Sequence, residues 1–205
     1  GPSAASADGF KVIVHGKGAH GASPEDGVDP VNILAHILIA LQTINSRERV
    51  QREPLILTIG QLIAGTAENI IPNDGYLTGT IRAFNQEVRV HAKRRLEEIS
   101  QGIAATFGAT AEIEWYTEFA PTINDRALVA ELDGYVRELL GDDMVKITEP
   151  QMGSEDFSEV MLRVPGAFFN ISLGAREDGY LYGAHNPQIR FDESGLPVGS
   201  RSEER

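Results

Sequence analysis

Apolar and polar positions recur along the chain with two periods, and the switches between them outline six elements. Residues 10–15 are short and β-branched and end at Gly16-Lys17-Gly18, which predicts a strand running into a glycine turn. Asp29-Pro30 then supplies an N-cap and a proline at the first helical position. Val31, Leu34, Leu38 and Leu41 follow at helical spacing, with Ile37 and Ile44 widening the stripe, so a helix is expected over residues 30–45. Residues 55–64 and 76–84 read as strands around a loop carrying Asn69 and Pro72. Asn85 can cap a second helix over 86–107, with Val88, Ala92, Leu96, Ile99 and Ile103 on one face and Gly108 at its end. Residues 110–116 alternate as a last strand. The order β-α-β-β-α-β is the ferredoxin-like split pattern, an α+β arrangement. One sheet with both helices on a single face would bury all these stripes.

After Pro121-Thr122-Ile123-Asn124 the pattern changes. Residues 125–140 predict a third helix stopped by Gly141, residues 153–161 a short helix, and 167–173 an apolar strand. From Gly174 onward the chain reads as loop, and the polar residues 199–205 are expected to fray. So few elements cannot close a sheet around a core of their own, so this stretch reads as an incomplete segment of an α/β domain. Residues 1–8 carry no structural signal and are expected to be linker.

Composition narrows the function classes. Hydrophobic residues make up 41% of the 205 and charged residues 23%, ordinary for a globular protein. No apolar run approaches the roughly 18 residues needed to span a bilayer. A net charge of −12 disfavours nucleic acid and anionic membranes as partners. The absence of cysteine excludes disulfides, thiolate ligands and a thiol nucleophile, and fits a cytoplasmic setting. Neither a GxxxxGK[ST] phosphate loop nor a GxSxG nucleophile elbow occurs.

Five histidines remain to consider. His36 and His91 fall inside helices, away from other ligand types, and His15 ends a strand. His20 sits in a glycine-rich turn, Gly18-Ala19-His20-Gly21, where close backbone approach is possible. His185 lies in a loop, Gly183-Ala184-His185-Asn186. A hydrolytic zinc site wants about three protein ligands and an open position. Glu155 and Asp156 are adjacent, so on a helix they would point about 100° apart. Spacing alone assembles no full site.

Five motifs occur in order: GKGAHGASPEDGVDP (16–30), GTAENIIPND (65–74), GTIRAFN (79–85), GSEDFS (153–158) and YGAHNP (182–187). Together they resemble the metal-dependent aminoacylase/carboxypeptidase superfamily, in its branch of hippurate hydrolases, N-acyl-amino-acid amidohydrolases and auxin-conjugate hydrolases. The resemblance implies a ferredoxin-like lid and dimerisation domain over 9–118 and a C-terminal, incomplete part of the catalytic domain over 122–205. It implies that His20 polarises the scissile carbonyl, that Asn69 and Arg82 contact the substrate, and that His185 is a metal ligand. Glu155 would lie near the pocket without an assigned role. The complete parent enzyme would use a divalent metal, zinc or manganese, and act as a homodimer on small N-acyl amino acids. The family's other ligands and its general-base glutamate precede the lid and have no match here, so the chain alone is expected to bind metal weakly and to lack activity. The alternative is a stand-alone dimerisation or small-molecule-binding module.

Overall fold

The computed structural model describes residues 1–48 and 51–203. The chain begins with β1 (Pro2–Ala4), β2 (Ala7–His15), β3 (Ala19–His20), α1 (Pro30–Thr43), β4 (Leu55–Ala64), β5 (Ile70–Ile71) and β6 (Asp74–Ala83). It continues with α2 (Gln86–Thr106), β7 (Thr110–Phe119), β8 (Thr122–Ile123), α3 (Arg126–Leu140), α4 (Ser158–Met161) and α5 (Leu196–Glu203). Two compact units result, one of Gly1–Ile123 with Glu149–Val164, the other of Asn124–Thr148 with the chain from Pro165 onward.

The first unit is built on a four-stranded antiparallel sheet in the order β4-β6-β2-β7. Strand alternation puts Phe10, Val12 and Val14 on the same face as Leu55, Leu57, Leu77 and Ile81, and all are buried. Ile33, Leu34, Ile37 and Leu41 of α1 and Ala92, Leu96 and Ala104 of α2 complete this core, so both helices cover one face as the stripes require. Asp29 and Asn85 cap the two helices by accepting from the amides of Val31 and Glu87. Past α2 the chain turns at Gly108, whose φ of 79° favours glycine. Where α1 was expected to reach Asn45, α-helical geometry ends at Thr43 and a π-turn runs over Ile44–Glu48. The other sheet face is open and carries Lys11 over the Tyr76 ring at 4.6 Å. Tyr116, at a register shift opposite Gly9 and Phe10, lays its ring where a Cβ on Gly9 would be.

Residues 1–8 are ordered, contrary to expectation. β1 pairs with β8, the Ala5 amide donates to the Gly153 carbonyl at 2.9 Å, and the Gln151 amide donates to Ser3 at 3.0 Å. The Ser6 hydroxyl accepts from the Ala83 amide at 3.0 Å. These partners all lie far away along the chain, so no local pattern announces them.

In the second unit, Asp125 caps α3 by accepting from the Leu128 amide. No described residue of this unit is fully buried. The strand expected over 167–173 does not form, because a strand needs a neighbouring ladder and none lies beside it among the described residues. The Asn124 carboxamide stands in for a strand partner, donating to the Phe168 carbonyl at 2.9 Å and accepting from its amide at 2.8 Å. At the C-terminus, where fraying was expected over 199–205, α5 extends to Glu203, and the last two residues lie outside the described ones.

Candidate functional site

β2 delivers the chain into residues 16–22, and the loop between β4 and β6 returns beside it. The two are zipped together by backbone. β3 pairs with β5, matching Ala19 to Ile71 and His20 to Ile70. Beyond that pair the Gly21 amide donates to the Asn69 carbonyl at 2.8 Å. A Cβ on Gly21 would meet that carbonyl oxygen at 3.0 Å, so the approach depends on glycine. His20 and Asn69, far apart in sequence, are therefore neighbours on two adjoining exposed loops. Within its own loop His20 accepts, at Nδ1, from the Ala22 amide at 3.0 Å.

Asn73 ties the same loop at its other end. Its carbonyl accepts from the Gly16 amide and its Oδ1 from the Gly18 amide, both at 2.8 Å. Sequence reasoning passed over Asn73, since an asparagine in a polar loop carries no signal of what it bonds.

Arg82 sits half-buried on the open face of β6, between the core residues Ile81 and Ala83. Its Nη1 donates to the Met152 carbonyl at 3.3 Å, three positions before Glu155. Glu155 is half-buried and its carbonyl accepts from Ser158, which opens α4. Next along that helix, the Glu159 carboxylate accepts from the Ala120 amide at 3.1 Å. The GSEDFS segment is thus attached to the sheet unit and brought to Arg82.

His185 is exposed, in the second unit, with φ of 66°, and is the one non-glycine described residue with positive φ. A side chain in that region costs roughly 1–2 kcal/mol, a strain more often kept where the side chain has a job. Among the described residues no three histidine, aspartate or glutamate side chains converge on a point that could hold a metal ion.

Residues 4–107, spanning β2 to α2 of the sheet unit, match the family model described as a peptidase dimerisation domain. The chain belongs to the M20 peptidase family. This M20 chain is 35% identical over 200 residues to thermostable carboxypeptidase 1 of Saccharolobus solfataricus, covering 98% of itself and 50% of that protein. It is 33% identical over 198 residues to the N-acetyl-L-cysteine deacetylase of Bacillus subtilis, covering 96% and 45%. Among solved structures it resembles a dinuclear metal-binding M20 peptidase of Bacillus subtilis, with a TM-score of 0.73, 26% identity and coverage of 98% and 49%. The chain spans about half the length of the curated relatives it matches. Homologues of this M20 chain are thus amidohydrolases and peptidases, and its family includes dinuclear metal-binding members. Among the described residues no helix is long and apolar enough to cross a membrane.

Proposed function

We propose that this M20 chain supplies the dimerising lid, residues 9–118, and part of the active site, within 122–205, of a metal-dependent amidohydrolase acting on N-acyl amino acids. The observation that carries the reading is the β3–β5 pairing with the Gly21–Asn69 bond, which sets a histidine and an asparagine side by side on a glycine-built ledge. In this reading His20 donates to the amide carbonyl oxygen as charge develops there, and Asn69 contacts the substrate. Arg82 pairs with the substrate carboxylate, for which its planar fork is suited. His185 is assigned to a divalent ion, zinc or manganese. The deacetylase named above acts on an N-acyl amino acid, and that supports the substrate class.

The test joins this chain in frame to an M20 segment bearing the remaining metal ligands and follows amine release from N-acetylcysteine and hippurate. Chelator-sensitive hydrolysis is expected, with His20→Ala cutting kcat by about 10²–10³-fold, as loss of an oxyanion donor does. Full activity in the His20→Ala protein would sink the assignment. Self-association is expected through the edge strand β4, whose Ile56, Leu62 and Ile63 are exposed. Sedimentation at tens of micromolar that shows only monomer would remove the dimer from the proposal.

A further inference from the structure

His20 is exposed, and an exposed imidazole ordinarily rotates freely and exchanges its proton between two nitrogens. Here its Nδ1 receives the Ala22 amide at 3.0 Å. A ring nitrogen accepts a hydrogen bond only through a lone pair, so the proton of the neutral ring sits on Nε2. Among the described residues nothing else bonds Nε2. The ring is thus presented as a single donor with a set direction.

So short a contact, from residue 20 to residue 22, survives only if the backbone between them is held. Three groups hold it. The Ser23 amide donates to the His20 carbonyl at 2.8 Å, the Gly21 amide donates to Asn69, and β3 lies on β5. Upstream, Asn73 binds the Gly16 amide through its carbonyl and the Gly18 amide through its side chain. Gly18 is fitted closely to that side chain, since a Cβ there would meet Asn73 Oδ1 at 2.9 Å. The Lys17–Val28 pair, with both bonds at 2.9 Å, closes the base of the loop.

We infer that Asn73 and the Ala22 amide form a clamp that fixes His20 as the Nε2–H tautomer, a preset donor for a carbonyl or carboxylate oxygen, with Asn73 as its positioning residue. The role of the donor rests on the amidohydrolase reading, whereas the clamp is a property of the loop itself. A donor already aimed needs no reorganisation when the acceptor arrives, which is the condition under which such a bond favours a developing oxyanion.

Nuclear magnetic resonance on the ¹⁵N-labelled chain at about pH 8.5, above the ordinary imidazole range, tests the clamp directly. The expected result is one tautomer, protonated at Nε2, with a scalar coupling through the hydrogen bond between the Ala22 nitrogen and His20 Nδ1. Asn73→Asp keeps the acceptor oxygen and should keep the coupling. Asn73→Ala should lose it and show ring signals averaged between tautomers, while amide dispersion elsewhere in the sheet reports that the unit still folds. In the chain joined to an M20 catalytic segment, Asn73→Ala should lower kcat with little change in KM, and Asn73→Asp should restore it. An averaged ring without coupling in the unsubstituted chain overturns the inference whatever the variants do. So does a coupling that persists in Asn73→Ala. A coupled ring in a protein that hydrolyses no N-acyl amino acid leaves the clamp standing and removes the proposed function instead.

Discussion

Asp8 is fully buried, and both of its carboxylate oxygens have partners. Arg89 Nε and Nη2 donate to its two oxygens at 2.8 Å each, and Lys93 approaches at 3.4 Å while also pairing with Glu118 and lying over the Trp115 ring. Removing one member strands the others away from water, so Asp8→Ala should cost about 3–5 kcal/mol in urea denaturation at neutral pH. Replacing both members with apolar residues, Asp8→Leu with Arg89→Met, should recover most of that loss. His15 illustrates the opposite, exposed case. Its Nδ1 lies 2.7 Å from Asp74 and its Nε2 3.6 Å from Glu112, and the Asp74 bond chiefly holds its pKa above the ordinary imidazole value. A raised folded pKa gives stability that is full below the unfolded value and is lost as pH rises through the folded one. With the ring nearly half exposed the effect is screened, below about 1 kcal/mol. Denaturation midpoints should therefore fall slightly from pH 6 to about 8.5, and the fall should be absent in His15→Gln.

At the scale of elements, caps and edges do most of the deciding. Asn85 accepts from Glu87 to start α2, the helix whose Ala92, Leu96 and Ala104 close half the core. Asn85→Ala should cost about 1 kcal/mol and Asn85→Asp close to nothing, read as a shift in urea midpoint at constant slope. Further along, Arg95 reaches back to Glu48 with bonds of 2.8 and 3.1 Å and holds that carboxyl below its usual range. The bond fastens the π-turn after α1 to α2. Among the described residues β4 has a partner strand on one side alone, β6, and it bulges between Ile59 and Gln61. A bulge turns part of an edge away from continuous pairing.

At the scale of the molecule the two units differ in what they bury. The sheet unit has a continuous core, whereas the described residues of the other unit include none that is fully buried, and α3 leaves Val129, Tyr135 and Leu139 exposed. Hydrogen exchange should show β2 and β6 amides protected to the level of global unfolding and α3 amides exchanging much faster. Equal protection in both would mean that α3 is stabilised by something other than burial. The sequence by itself determined the order of the four long strands and two helices of the sheet unit, the caps of those helices and the face each strand turns inward, because periodicity and caps are written within a few neighbouring residues. It also placed His20, Asn69, Arg82 and His185 in motifs, which is enough to indicate a family. It gave no sign that β1 pairs with β8, that Asp8 meets Arg89 81 residues away, or that Asn73 holds the loop of His20 from 55 residues on. It predicted a strand over 167–173 from composition alone, and the tertiary structure decided otherwise. Pairing across long stretches of chain depends on register and on which groups remain unsatisfied after local structure forms, and only the assembled fold settles both.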